Sequence, residues 1–412
     1  MKVTILTLGC RVNQAESAFV AEGLSNRGVE IVDLSGQPDY CVVNTCAVTA
    51  KSDYQSRQLI RRAVRAGAKV IVTGCYSEVN PVEVAKIGGM LDIVPNIRKY
   101  NIINMIDNNT SSISSYLSGR SRPYVKVQDG CNNACAYCIV PKARGQSRSV
   151  DIPSILKRIA HFESEGYQEI VLTGVHLGAF GRDLNPGVRL ADLLRNILNQ
   201  TRMPRIRLSS LETNEVDDEL IELLAEQRIC RHVHIPLQSG DDSILRLMRR
   251  GYTVKKFVAT VERISRKVEN VAIGTDIIVG FPGEGGVEFS HTRDAVAALP
   301  LAYMHIFPFS PRPMTPASVM SRQNAVPLKK ERFAALNALN IRKKRSYMSS
   351  QVGKTLDIVI EELRSDGTAL GTSSNYLKVR TTSGGKRKGS LIYVGVSGIE
   401  DGMLTGDAIS KL

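Results

Sequence analysis

From residue 3 to residue 309 the chain alternates short β-rich runs with amphipathic helical segments, and this alternation limits the fold more than any other feature. Runs at 3–8, 39–44 and 70–73 are followed by helical patterns at 15–25, 52–66 and 81–87. Past residue 123, six further runs occur at 124–128, 169–173, 205–209, 232–236, 271–278 and 303–309. Amphipathic stretches at 152–165, 190–200, 217–227, 254–268 and 289–298 separate them. Strands joined through helices form parallel sheets. The first set predicts an amino-terminal parallel α/β domain, Rossmann-like in kind. The second has six strand–helix units where a closed barrel needs eight, so it predicts a partial (β/α)6 barrel. In both architectures ligands collect in the loops at the carboxyl ends of the strands.

Cysteines fall in those loops. Cys131, Cys135 and Cys138 are spaced C-x3-C-x2-C just after the first strand of the second set. A structural zinc site wants four closed ligands, and no fourth Cys or His lies nearby. Three thiolates suit three corners of a cube-shaped iron–sulfur cluster, leaving one iron open to a substrate or cofactor. Cys10, Cys46 and Cys75 each follow one of the first three strands. Parallel strand ends lie on one edge, so these thiols can converge on a second cluster; the alternative is three ordinary small residues at loop starts. Cys41, inside a strand, and Cys230, alone before one, read as small buried hydrophobes. In a cytosolic chain, eight cysteines point to ligands or nucleophiles more than to disulfides.

Other polar groups gather at the strand ends of the second set. Thr173-Gly174 follows one strand; Arg207 and Ser209 share a face of the next, with Glu212 beyond; His232, His234 and Gln238 accompany another. Two His at i, i+2 can bind a metal, but the polar line continues to Gln238, which favours hydrogen bonding in a barrel mouth. Gly280-Phe281-Pro282-Gly283 reads as an apolar turn.

The carboxy-terminal part changes character. A helical pattern at 328–345 ends in Arg342-Lys343-Lys344-Arg345. Short β runs at 355–361, 377–380, 391–396 and 404–409, divided by glycine-rich loops, predict a small OB-like barrel. Formal net charge is +14, and residues 322–412 hold 16 Lys plus Arg against 8 Asp plus Glu. That imbalance points to a polyanionic partner. Tyr376 with Lys378 and Arg380 offers an aromatic in a positive groove for single-stranded RNA, and Lys386, Arg387 and Lys388 form a basic loop. The Ser/Asn-rich stretch within 98–122 reads as a linker, with Arg120 and Arg122 as secondary RNA contacts. Apolar content of 43% and charged content of 23% are those of a globular protein. No apolar run reaches the length of a membrane span, and the start is too short in apolar core for a signal peptide. A cytoplasmic monomer is expected.

The stretch Cys131-Asn132-Asn133-Ala134-Cys135-Ala136-Tyr137-Cys138 closely resembles the signature of the radical S-adenosylmethionine enzymes. The stretches 7–17, 44–49 and 73–75 resemble the amino-terminal domain of the methylthiotransferases, and 371–379 resembles the TRAM RNA-binding module. The start Gly-Cys-Arg-Val-Asn-Gln and residues 44–58 look most like the threonylcarbamoyladenosine tRNA branch. The resemblance implies four regions: 1–97 with an auxiliary cluster, a linker at 98–122, a radical S-adenosylmethionine domain at 123–345, and a TRAM domain at 346–412. It implies two [4Fe–4S] clusters, one on Cys131, Cys135 and Cys138 and one on Cys10, Cys46 and Cys75. It places S-adenosylmethionine against Tyr137, Gly174, Arg207, Ser209 and Gln238.

The implied activity is methylthiolation of C2 of N6-threonylcarbamoyladenosine at position 37 of tRNA. A sulfur source and a flavodoxin-like or ferredoxin-like electron donor are implied as partners. The isopentenyladenosine tRNA branch is the nearest alternative, then the ribosomal-protein branch; from another class, a zinc-bearing RNA-binding protein without catalysis. Two departures from the family pattern stand out: Gly285 where a Thr usually follows the Glu, and Met314 where Gly is usual.

Overall fold

The computed structural model describes residues 1–108, 119–184 and 187–409. The chain divides into two compact units. One joins Met1–Gly119, Gln128–Arg148 and Ser310–Val319; the other joins Arg120–Val127, Ser149–Phe309 and Met320–Leu412.

In the first unit, strands β1 (Lys2–Thr7), β2 (Glu30–Ile31), β3 (Tyr40–Thr45), β4 (Lys69–Gly74) and β5 (Met90–Ile93) line up in the order β2-β1-β3-β4-β5. Every pairing in that sheet is parallel. Helices α1 (Arg11–Ser25) and α2 (Ala50–Arg65) follow β1 and β3. The central strand shows why the sheet is covered on both sides. Cys41 and Val43 pack with Ile60, Ala63, Val70 and Val72, while Val42 packs with Val3, Val20, Leu24 and Ile71. A run that is apolar at consecutive positions is what a doubly covered parallel strand requires. Cys41 is fully buried there, and burial pushes its thiol up to about 12.

The linker expected at 98–122 begins later than the composition suggested. Asn96–Asn101 and Ile102–Ile106 form helical turns, and Ile102, Ile103 and Ile106 pack onto the Val3/Val42/Ile71 face. That face needs an apolar cover, and three isoleucines at helical spacing supply it. Most of the Ser/Asn-rich stretch, at 109–118, lies outside the described residues.

In the second unit, the described residues form six parallel strands: β6 (Tyr124–Lys126), β7 (Glu169–Thr173), β8 (Arg205–Leu208), β9 (His232–His234), β10 (Ala272–Val279) and β11 (Tyr303–Pro308). They run β8-β7-β6 and β9-β10-β11. The halves meet where Ile206 bridges Ile229 and the Cys230 N–H donates to the Ile206 carbonyl at 2.9 Å. Alternate side chains divide cleanly. Ile170, Leu172, Ile206, Leu208, Val233, Ile273, Ile277 and Met304 join a single core with the helices. The opposite face carries Glu169, Arg205, Arg207, His232, His234, Asp276, Tyr303 and His305.

The chain ends, within the described residues, in a closed barrel of β12 (Thr355–Leu363), β13 (Thr368–Ser373), β14 (Lys378–Thr382), β15 (Leu391–Glu400) and β16 (Met403–Ile409), ordered β12-β13-β14-β16-β15. Its core is Ile358, Ile360, Val379, Val394 and Leu404 with their neighbours. β13 was not foreseen, because Thr-Ala-Leu-Gly-Thr-Ser has little β signature. The turn between β13 and β14 docks against the amino-terminal ends of β7, β8 and β9. Arg207 donates to the Ser373 and Ser374 carbonyls at 2.9 Å each, and Arg205 to the Thr372 carbonyl at 3.2 Å. Between the two arginines lies Glu169, 2.5 Å from Arg205 and 2.7 Å from Arg207. Arg122 reaches the same carboxylate at 3.2 Å and Glu361 at 2.5 Å. Burial alone would raise the Glu169 carboxyl. The guanidiniums of Arg205, Arg207 and Arg122 outweigh it and hold the group at about 2.

Candidate active site

The first unit brings both cysteine trios into one compact body. Cys10 caps α1 directly after β1, Cys46 follows β3, and Cys75 opens the short helix after β4. β1, β3 and β4 are neighbours, so the three thiols sit on the same edge of the sheet.

Two glycines make that approach possible. Gly9 has φ +105, and a Cβ there would lie 2.8 Å from Cys46 Sγ. Gly74 has φ +103, and a Cβ there would lie 2.3 Å from the Thr45 backbone nitrogen. Only glycine tolerates both the conformation and the contact. Asn13, one turn into α1, ties the loops together. Its amide donates to the Leu8 carbonyl at 2.7 Å and the Thr45 carbonyl at 3.0 Å.

Three thiols on neighbouring strand ends form a donor set that fits an iron–sulfur cluster. Burial pushes Cys75 up to about 11 and raises Cys46, and the nearby Cys10 adds to both. Arg144 acts the other way on Cys75, through charge and a hydrogen bond. Beneath these thiols lies a buried ionic network. Glu16 meets Lys99 at 2.5 Å and Arg144 at 2.9 Å, and Arg144 meets Asp129 at 2.7 Å. Arg144 also donates to Asn13 Oδ1 at 2.5 Å, and Lys99 to Asn44 Oδ1 at 3.2 Å.

Arg144 closes the short helix Val140–Arg144 that follows the second trio. In that loop Cys131, Cys135 and Cys138 are half-buried. The Asn133 N–H points at Cys131 Sγ at 3.4 Å. The Cys138 N–H donates to the Cys135 carbonyl at 3.1 Å, and the Ala317 N–H to the Ala136 carbonyl at 2.8 Å. Gly130, at φ +70, lets the loop pass Gln146, whose carbonyl would lie 1.9 Å from a Cβ. Tyr137 sits half-buried in the same loop.

The residues expected to hold S-adenosylmethionine separate by height in the second unit. Gly174 directly follows β7, and Ser209 directly follows β8. Ser209 Oγ is buried with no hydrogen-bond partner, which suits a polar guest. Gln238 lies past β9 at φ +67, a strained conformation for a residue with a side chain, and its N–H donates to the Asp276 carbonyl at 2.8 Å. Arg207 is elsewhere. It is fully buried at the amino-terminal end, with its donors on Glu169, Ser373 and Ser374. Its task in this fold is to fasten the terminal barrel.

The expected RNA residues also part company. Lys386, Arg387 and Lys388 are exposed on the turn between β14 and β15, and Lys378 is exposed beside Glu361. Arg380 pairs with Asp401 at 3.0 Å and Glu400 at 3.5 Å. Tyr376 turns inward: its ring lies 4.3 Å from that of His232 and beneath Arg207. It therefore does not present a face for a base. Arg122 is likewise committed to Glu169 and Glu361.

Asn13, Glu16, Asn44 and Lys99 were given no role from the sequence, and Arg144 only as part of an Arg-Gly pair that fits the family pattern. The nearest signal was Asn13 and Glu16 at i, i+3 in the helix that opens with Cys10.

Comparison with known proteins agrees with this geometry. Residues 125–296 match the Radical SAM superfamily, and residues 2–95 match the uncharacterized protein family UPF0004. The fold resembles that of the radical S-adenosylmethionine methyltransferase TsrM from Kitasatospora setae, with a TM-score of 0.59 at 15% identity over 77% of this chain and 75% of that one. Strand array, cysteine loop and family match together define a radical S-adenosylmethionine enzyme. The chain is 36% identical to the threonylcarbamoyladenosine tRNA methylthiotransferase MtaB of Aquifex aeolicus, over 96% of this chain and all of that one. The Bacillus subtilis MtaB is 35% identical, over 92% of this chain and 89% of that one. The chain belongs to the threonylcarbamoyladenosine tRNA methylthiotransferase family, and it is a transferase.

Proposed function

We propose that the protein methylthiolates C2 of N6-threonylcarbamoyladenosine at position 37 of tRNA. The observation that carries this reading is the pair of thiol trios in one compact unit, in a chain that aligns end to end with the MtaB relatives. Cys131, Cys135 and Cys138 are assigned one [4Fe–4S] cluster, and Cys10, Cys46 and Cys75 the other. When bound, these groups and S-adenosylmethionine supply a reductively generated adenosyl radical, the sulfur and the methyl group.

The chain's own residues set the conditions for that chemistry. Asn13 and the Gly9 and Gly74 turns hold the first trio's loops together. Arg144 lowers the cost of thiolate at Cys75 and ties that trio to the Cys131 loop through Asn13. Gly174, Ser209 and Gln238 of the second unit are assigned to S-adenosylmethionine. Lys378 and the Lys386–Lys388 turn are assigned to the tRNA backbone, as a TRAM module would use them. An electron donor of the flavodoxin or ferredoxin type and a sulfur source complete the reaction in the cytoplasm. Among the described residues no helix is long and apolar enough to cross a membrane.

The reading is tested by offering the reconstituted enzyme two hypomodified tRNAs anaerobically, one carrying threonylcarbamoyladenosine and one isopentenyladenosine. Nucleoside mass spectrometry should find the methylthio product on the first only. Product on the second alone would move the protein to the sister branch.

A further inference from the structure

The sequence pairs His232 with His234, but the fold separates them. His232 Nε2 goes to the Tyr303 hydroxyl at 2.8 Å. His234 instead joins two residues from the next strands of the sheet, Asp276 on β10 and His305 on β11. The three offer ligand atoms that all lie within 4.8 Å of one another. His234 Nε2 is 3.1 Å from Asp276 Oδ1, and His305 Nδ1 is 3.2 Å from the same oxygen.

We propose that His234, Asp276 and His305 form a binding site for a divalent first-row transition ion, distinct from both cysteine trios.

Four observations carry the proposal. First, the spacing fits. At metal–ligand distances of about 2.0–2.2 Å, neighbouring donors around a tetrahedral or octahedral ion are about 3.0–3.5 Å apart. Second, His234 is buried, and its Nε2 has no aligned hydrogen bond although a carboxylate oxygen is 3.1 Å away. Third, the other nitrogen is fixed from outside: Ser210 Oγ lies 2.8 Å from His234 Nδ1. Metal-binding imidazoles are oriented in this way by a polar partner on the far nitrogen. Fourth, the donor set is two imidazoles and one carboxylate from three adjacent strands, open on the side of His305, whose side chain is 54% exposed. That arrangement leaves coordination positions for a guest and selects ions such as Fe(II), Mn(II) or Zn(II) over Mg(II) or Ca(II).

The site would place a Lewis acid on the face of the strands that carries Glu169, Arg205 and Arg207, beside Ser210. An oxygen or nitrogen of a guest entering the barrel could complete the coordination.

The test uses the full chain with its iron reconstituted, and Mn(II) as probe because thiolates favour softer ions. Loss of the free Mn(II) paramagnetic resonance signal measures binding. One Mn(II) per chain is expected, with affinity at least tenfold weaker in Asp276→Asn and in His305→Ala. Iron content and thermal melting should stay unchanged in His305→Ala, whose exposed ring supports no core packing. Absence of Mn(II) uptake at millimolar concentration, or equal uptake by the wild type and both variants, would overturn the proposal. The trio would then be a hydrogen-bonded cluster only.

Discussion

Glu169→Gln removes the negative charge between two guanidiniums that are 3% and 0% exposed. Arg205 would keep the half-exposed Asp357 at 3.4 Å, and Arg207 only neutral carbonyls. Removing one partner of a buried ion pair costs about 3–5 kcal/mol, because the remaining charge is desolvated without compensation. A second route gives a similar figure. Lowering a carboxyl from 4.5 to about 2 on folding corresponds to about 3 kcal/mol. The sign follows from the direction. A depressed folded-state value gives stability that is fully present above about pH 4.5 and is lost as the pH falls toward 2. Urea unfolding of the full chain, followed by circular dichroism, should therefore show the second unit's transition weakened by about 3–5 kcal/mol at pH 7 in Glu169→Gln. The gap to wild type should narrow as the solution is acidified below pH 4.5. A loss under about 1 kcal/mol at pH 7, or a gap that ignores acidification, would refute the claim that this network fastens the terminal barrel.

Other outcomes follow from the site and its departures. Cys10→Ala and Cys131→Ala should each lower reconstituted iron from about eight to about four atoms per chain, read by metal analysis. Gly74→Ala should also lower iron to about four, because its Cβ would lie 2.3 Å from the Thr45 nitrogen and force the Cys46 and Cys75 loops apart. Met314 holds φ +65 with its side chain 56% exposed, where the family pattern has glycine. Met314→Gly should raise stability by about 1 kcal/mol through relief of that strain, seen as a higher melting temperature. Gly285 is the N-cap of the helix Gly286–Ala298, so Gly285→Thr should change stability by only a few tenths of a kcal/mol.

Much of the cysteine chemistry was legible because it depends on local order. A cysteine directly after a parallel strand must lie on the carboxyl edge, wherever the strand sits in the sheet. Cys10, Cys46 and Cys75 needed only that rule, and the sheet order then made their strands neighbours. Height along a strand is harder to read than face. Alternation put Arg207 and Ser209 on one face, but two residues along a strand is about 6.6 Å. That distance takes Arg207 from the mouth to the floor. Tyr376 looked like a stacking platform because it lies among Lys378 and Arg380, yet its turn conformation at φ +66 points the ring inward.

Groups gathered from distant segments left no trace in the sequence. Glu16 meets Lys99 across 83 residues and Arg144 across 128. Asp276 and His305 are brought together by the register of β10 on β11. Lys99 was further obscured because it falls in a stretch read as linker, where nothing marked it as buried.

The central claim is a division of labour between the two thiol trios. Wild type, Cys10→Ala and Cys131→Ala are compared anaerobically on tRNA carrying threonylcarbamoyladenosine, with 5′-deoxyadenosine and methylthio nucleoside measured together by mass spectrometry. Wild type should form both, Cys10→Ala should form 5′-deoxyadenosine alone, and Cys131→Ala should form neither. Methylthio product from Cys10→Ala would contradict the assignment of sulfur transfer to the amino-terminal sheet edge.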